Sequence, residues 1–379
     1  MGDKKRTEPY GFRPFAHIET FGKVYFQYKK SKLIFILKRL LPFQYKKQIM
    51  ENILKDRVSY GWRDLSEDQH RQYINARSVF TTWEDAKKSA AEVRGGMFWK
   101  RQGGKEYLIR TSVNNAQKSL GARSEETERI HDSFVKRKDR VEGRLSDLAG
   151  ELERQQRLNR ALGVGRAPNI LVTLLDRLAK SGLAEHFTVV GTNALYAYES
   201  AAGVRFHESA LATIDIDLLW DTRKRLRFVT QMAALESSML EVIRKVDSTF
   251  ELREGQRYTA VNSVGFEVDI IRREVVPGDP GADPHPLPLT DSEEEFWAVQ
   301  APRAGLLLDG PRFSSMVVST NGHMARMTTI APSIFASFKR WMAGRADRDP
   351  VKRDRDLLQA EMVEKLAQDY SILFQRDNI

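Results

Sequence analysis

Apolar and polar positions alternate differently along four stretches of the chain, and each stretch predicts its own elements. Residues 1–123 show broken periodicity. Within them LSEDQHRQYINARSVF predicts a helix start, with Ser66 as N-cap and Gln69 three residues on to complete a capping box. GGMFWKRQGGKEYLIRT (95–111) predicts a β-hairpin, two alternating runs around Gly103-Gly104. Residues 124–162 predict one long helix capped by Ser124, with Ile130, Phe134, Val141, Leu145, Leu148, Leu152, Leu158 and Leu162 at spacings near three and four. So narrow a stripe on a charged helix fits a coiled-coil-like arm or a spacer between domains. GVGRAP (163–168) then punctuates the chain.

From 168 to 276 the element type alternates. NILVTLLDRLAKSGL predicts a helix, FTVVG a strand, NALYAYESAAG a helix and TIDIDLLW a strand. RLRFVTQMAALESSMLEVIRKV predicts one long helix, followed by two strands that include GFEVDII. This order predicts a mixed α/β sheet covered by helices. PGDPGADPHPLP (277–288) predicts a linker or surface loop. From about 290 the pattern is mainly helical, with strongly patterned helices near 332–343 and 352–369. The expected organisation is a basic region with a hairpin at 1–123, a connecting helix at 124–162, an α/β core at 163–276 and a helical region at 277–379.

Composition narrows the function classes. The 379 residues are 41% hydrophobic and 30% charged, with no cysteine. Disulfides and thiolate metal sites are excluded, and the expectation is a soluble protein of a reducing cytoplasm. MGDKKRTEPYGFRPF lacks the apolar core of a secretory signal, and LIFIL (33–37) is too short to cross a bilayer, so no membrane partner is expected. The net charge of +10 points to a polyanionic partner. The excess concentrates at 23–57, where ten Lys and Arg face two carboxylates with aromatic residues interleaved. That mixture suits phosphate contacts and base stacking, and equally a solvated basic face.

TIDIDLLWD (213–221) supplies candidate chemistry. Period two places Asp215 and Asp217 on one strand face, opposite Ile214, Ile216 and Leu218. Like charges in an apolar run need a metal, a cation partner or solvent. GFEVDII repeats the grammar, with Asp269 between Val268 and Ile270 on a strand that could pair beside the first. Three converging carboxylates make a hard-oxygen site for Mg²⁺. Two such ions about 4 Å apart can activate a hydroxyl and stabilise a leaving phosphate oxygen. Gly191-Thr192, between a buried strand and a helix start, can bring backbone N–H groups and a hydroxyl to a phosphate.

The ordered set resembles the nucleotidyltransferase superfamily that includes DNA polymerase β. More closely, VVGTNALYAYESAAGVRF, TIDIDLLWD and GFEVDIIR resemble a bacterial group of GSLR-type nucleotidyltransferase domains, as do the 95–111 hairpin and QKSLGARSEETERI. The likeness runs from about 95 to about 366. Two departures stand out: Thr192 where the pattern has Ser or Gly, and a gap of twenty-two residues between Thr192 and Asp215. The longer gap predicts an inserted segment around AAGVRFHES. The resemblance implies that Asp215 and Asp217 ligate two Mg²⁺ ions, that Asp269 completes the site nearest the attacking hydroxyl, and that Gly191 and Thr192 hold the β- and γ-phosphates of an NTP. The implied reaction moves a nucleoside monophosphate to a hydroxyl and releases pyrophosphate.

A triphosphate also needs cations, and PSIFASFKRWMAGRADRDPVKRDRDLLQA (332–360) is the richest supply near the expected core. Related nucleotidyltransferase toxins carry a helix lysine followed by an Arg/Lys-Asp-Leu segment facing the active site. On that resemblance Lys339 is the first phosphate-binding candidate, Arg355 a second, and Asp356 the residue that orients a neighbouring cation. No histidine pair has ligand spacing, so no zinc is assigned. The acceptor stays open among tRNA or another RNA, as in toxin–antitoxin nucleotidyltransferases, a protein hydroxyl, and a small molecule such as an aminoglycoside; an antitoxin partner is equally open. Net charge favours RNA. A non-catalytic nucleic-acid-binding protein is the alternative, which the intact Asp215, Asp217 and Asp269 disfavour, and an interaction protein built around the 124–162 helix is a third.

Overall fold

Ser66 starts the first long helix. Its hydroxyl accepts the Gln69 backbone N–H and the Gln69 side-chain Oε1 accepts the Ser66 backbone N–H, each at 3.2 Å, satisfying two donors that the first turn leaves free. This helix, α1 (Glu67–Glu92), follows strand β1 (Trp62–Asp64) in a computed structural model that describes residues 61–113, 115–275 and 285–370. The basic stretch 23–57, the apolar run 33–37 and most of the 277–288 loop lie outside the described residues. Next come β2 (Gly96–Gln102), β3 (Lys105–Thr111) and β4 (Gln117–Ala122), an antiparallel three-stranded sheet, and then α2 (Glu125–Ala161).

The two long helices pack against each other and against the core. Gln72 donates to Gln155 Oε1 at 2.7 Å and to Asn159 Oδ1 at 3.1 Å, and Asn159 donates to the Gly322 carbonyl at 3.2 Å. Tyr73, Phe80, Met316 and Val318 form a small buried cluster flanked by Leu152 and Met324. The turn at Gly322 fits tightly under α2. Its φ is +87°, and a Cβ there would meet the Gln156 carbonyl at 2.2 Å.

The main body follows. Helix α3 (Asn169–Lys180) leads to β5 (Phe187–Val190), a single turn at 191–193 and α4 (Ala194–Ala202). Then come β6 (Val204–Phe206), α5 (Glu208–Leu211), β7 (Asp215–Trp220), α6 (Arg225–Leu235) and α7 (Met239–Arg244). Strands β8 (Glu251–Arg253), β9 (Gln256–Val261) and β10 (Glu267–Arg272) precede β11 (Leu287–Pro288), β12 (Trp297–Gln300) and α8 (Ala304–Asp309). The chain continues with β13 (Arg312–Val318), β14 (Met324–Ile330), α9 (Pro332–Ala343) and α10 (Pro350–Asp369). A nine-stranded mixed sheet runs β11-β12-β10-β7-β5-β14-β13, with β9 added beside β10 and β8 beside β9. Strand β10 pairs with β7 in parallel along its full length, and its other edge is shared by β9 and β12. Ile216, Leu218, Leu219, Trp220, Val268 and Ile270 are buried in one core with α3, α4 and α9 residues. The fold class is therefore the mixed α/β sheet that the alternation predicts.

Two expectations change. The long helix expected over RLRFVTQMAALESSMLEVIRKV is two helices, because Glu236 takes a left-handed φ of 48° and Ser238 caps α7 in a second capping box with Glu241. The S-x-x-E start signal outweighs the continuous apolar pattern. The region from 290 is not mainly helical: β12, β13 and β14 join the sheet, and helix resumes at Pro332. The β-branched Val317, Val318, Thr328, Thr329 and Ile330 suit those strands, and the Thr329 hydroxyl donates to the Val189 carbonyl at 2.7 Å. The stretch around AAGVRFHES, where an inserted segment is expected, forms β6, which pairs with β1, and leads into the short helix α5.

Candidate active site

The register of two parallel strands brings three carboxylates together. Asp269 of β10 stands beside Asp217 of β7, and Glu267 beside Asp215. Each of Asp215, Asp217 and Asp269 offers an oxygen within 4.8 Å of the others. Threonines fix two of them. The Thr213 hydroxyl donates to Asp215 Oδ1, and the Thr259 hydroxyl donates to Asp269 Oδ1 at 2.5 Å. Asn193 donates to the Asp215 carbonyl at 2.5 Å, tying the start of β7 to the turn that follows β5. Among the described residues no side chain hydrogen-bonds the Asp217 carboxylate.

That turn closes against the carboxylates. Val190 pairs with Asp217 across β5 and β7, so Gly191 meets the Asp217 side chain directly. Gly191 has φ +68°, and a Cβ would lie 2.2 Å from Asp217 Oδ2, so only glycine fits. Gly191→Ala is expected to cost about 1–2 kcal/mol in backbone strain and to displace the carboxylate by an ångström or more. A misplacement of that size lowers turnover roughly a hundredfold. Kinetics beside a thermal melt check this, and unchanged turnover would contradict it. Thr192 is buried, its hydroxyl 3.3 Å from Gln359 Nε2, and Gln359 also donates to the Ala210 carbonyl at 2.5 Å.

Helices α9 and α10 supply the opposing cations. Lys339 is buried and donates to Asp356 Oδ1 at 2.8 Å, while Arg348 binds Asp356 Oδ2 at 2.7 Å. Asp356 is fully buried. Burial pulls the Lys339 ammonium below its ordinary range, against the charge and hydrogen bond of Asp356 and then the charge of Asp217. Arg355 donates to the Ala212 carbonyl at 2.6 Å, three residues before Asp215. Of the residues singled out in sequence, the structure thus gathers the three carboxylates and Gly191 in direct contact. Lys339 and Asp356 pair beside them, while Arg355 fastens the approach to β7.

The electrostatics fit a cation. The Asp217 carboxyl is pushed up to about 7, by burial first and then by the charges of Asp215 and Asp269, with Lys339 and Lys352 opposing. Asp269 is also raised, chiefly by burial, with Thr259 opposing. An all-oxygen donor set with crowded negative charge and one carboxylate without a donor matches the hard-cation preference of Mg²⁺. Because the folded Asp217 holds its proton above its unfolded value, the folded state binds more protons between about pH 4 and 7. Stability without divalent ion is then fully present at low pH and declines through that window. Melting temperature measured from pH 4.5 to 7.5 should fall without Mg²⁺, and the rise on adding Mg²⁺ should grow with pH. A Mg²⁺ effect absent at pH 7.5 would contradict it.

Some of the supporting residues carried a sequence signal and others did not. Lys352 lies in the cation-rich 332–360 segment and carried that signal. Thr213 lies at period two before Asp215 and Asp217, a spacing that marks it only once the carboxylates are taken as the site. Thr259, Gln359 and Asn193 carried none, because they reach the site through strand register and helix packing.

A family model described as nucleotidyltransferase matches residues 169–378, slightly more than half of the chain. No curated protein and no solved structure gave a match. The match begins at the first residue of α3 and spans Gly191, the three carboxylates and Asp356.

Proposed function

The chain belongs to the nucleotidyltransferase family, and on that premise we propose that it is a Mg²⁺-dependent enzyme that transfers a nucleoside monophosphate from an NTP to a hydroxyl of RNA. The observation that carries this reading is the registered triad of Asp215, Asp217 and Asp269 with Gly191 packed against it. In this proposal the three carboxylates hold the divalent ions, which when bound neutralise the triphosphate and polarise its phosphorus–oxygen bonds. The backbone of Gly191 and Thr192, at the entrance to α4, receives the β- and γ-phosphates. Lys339 and Arg355 face the same anion, with Lys339 held in place by Asp356. The half-buried Asp269, its carboxyl raised by burial, accepts the proton of the attacking hydroxyl. The hydroxyl oxygen bonds the α-phosphorus, the bond from that phosphorus to the bridging oxygen breaks, and pyrophosphate leaves.

RNA is favoured as acceptor by the net charge of +10 and its concentration at 23–57. The test incubates the full chain with Mg²⁺, each α-³²P-labelled NTP in turn, and total RNA or a cell lysate. Label that runs with RNA, is lost on ribonuclease treatment and is absent with an Asp215→Ala/Asp217→Ala variant supports the reading. Label that survives ribonuclease and runs with protein would transfer it to a protein acceptor. Metal-independent nucleic-acid binding without any transfer would return it to a non-catalytic binder.

A further inference from the structure

Sheet β2-β3-β4 lies outside the residues matched by the family model, at the end of the paired helices α1 and α2. The pair is fastened to the core as far along as Glu84, which ion-pairs Arg326 of β14, and β2 begins twelve residues further on. One face of the sheet packs on α2. Trp99 stacks against His131, and the Arg110 guanidinium sits 4.5 Å from the centre of the Phe134 ring. Strand alternation turns Phe98, Lys100, Lys105 and Tyr107 to the other face. Lys100 pairs directly with Tyr107 across the strands, and Phe98 is a diagonal neighbour. Phe98 is 40% exposed and Tyr107 half-buried. Lys100 and Lys105 are exposed, and neither has an ion-pair partner among the described residues.

The charge of this sheet is strongly one-sided. Between 94 and 123 there are seven Lys and Arg and one carboxylate, Glu106, which Arg123 already holds at 2.6 Å. A solvated face needs charge but not an exposed phenylalanine beside unpaired lysines. Ile109, paired directly with Phe98 on this face, is buried, so the accessible part of the face is Phe98, Lys100, Lys105 and the edge of Tyr107. Exposed aromatic groups flanked by free cations are the arrangement that stacks unpaired bases while neutralising their phosphates.

We propose that this face of the β2-β3-β4 sheet binds a single-stranded segment of the RNA acceptor. The inference rests on the nucleotidyl-transfer reading for the word acceptor, while the binding itself can be tested separately. The mode predicts sequence tolerance, since every base offers a ring face, and steep salt dependence from the phosphate contacts.

The test measures fluorescence anisotropy of the full chain with a labelled 20-nucleotide single-stranded RNA, the same RNA as a duplex, and salt series for each. Lys100→Glu/Lys105→Glu is expected to weaken single-strand binding at least tenfold and to flatten the salt dependence by about two counterions. Phe98→Ala is expected to weaken single-strand binding about fivefold or more while changing duplex binding less than twofold. Both sets of positions are surface ones, and matching thermal melts confirm that the variants fold. The Asp215→Ala/Asp217→Ala variant is expected to bind RNA as the wild type does. Wild-type affinity in Lys100→Glu/Lys105→Glu, or equal losses on single strand and duplex in Phe98→Ala, would overturn the platform and leave nucleotidyl transfer standing. Loss of RNA binding in the aspartate variant would also overturn it, by placing the RNA at the carboxylates. RNA held by the sheet in a protein that transfers no nucleotide would keep the platform and remove the transfer reading.

Discussion

Asp215→Ala/Asp217→Ala is expected to lower nucleotidyl transfer at least a thousandfold without lowering the melting temperature. The first half follows from the chemistry. In the proposed mechanism, charge stabilisation by ions held at the triad lowers the barrier by roughly 4 kcal/mol or more, and each 1.36 kcal/mol is tenfold in rate. The second half follows from the site's own repulsion. Asp217 is held close to Asp215 and Asp269 with its carboxyl pushed up to about 7, so the folded protein gives up stability to keep the three together. Deleting two of them relieves that cost in the metal-free protein. The variant should also lose the Mg²⁺-dependent rise in melting temperature. A variant that melts well below the wild type would instead assign these residues to the framework of the fold.

Asp356→Ala is expected to give the largest loss of stability of any single substitution near the site. The carboxylate is fully buried and is shared by Lys339 and Arg348. Removing it leaves two cations without their counter-charge, and breaking a buried pair in that way costs about 3–5 kcal/mol. For a chain of this size the loss appears as a fall of roughly 5–8 °C in melting temperature. NTP affinity should fall as well, since Lys339 is no longer held beside Asp217. A Lys339→Met/Asp356→Ala double variant should recover part of the stability but none of the NTP affinity, which separates structural pairing from nucleotide binding. Equal melting temperatures for Asp356→Ala and the wild type would show that solvent reaches this pair.

Much of the site was legible because period-two strands expose their chemistry in one dimension. Asp215, Asp217 and Asp269 stand out as polar positions inside apolar runs, and Gly191 as a glycine between a strand and a helix. Their meeting depends on parallel pairing of β7 with β10 across fifty residues, which no local pattern contains. The resemblance supplied that juxtaposition in advance. The strands of 297–330 were hidden for a related reason. Met316 to Ser319 are all buried, so MVVS lacks the alternation of a half-exposed strand; β14 does alternate in exposure, but the buried Thr329 beside the half-buried Thr328 hides this in MTTI, and tertiary pairing decides both conformations. The break at 236–238 was local and legible in the Ser238–Glu241 spacing, but the apolar periodicity continues through it. Gln359 stayed invisible because it acts from α10 on the Thr192 turn, 167 residues away.

The central claim is that this site moves a nucleotide and not a terminal phosphate. Parallel reactions with α-³²P-labelled and γ-³²P-labelled forms of the same NTP, in Mg²⁺ with total RNA, test it most directly. The α label is expected to enter RNA while the γ label leaves as pyrophosphate, both abolished by EDTA and by Asp215→Ala/Asp217→Ala. Incorporation of the γ label, or transfer that persists in that variant, would contradict it.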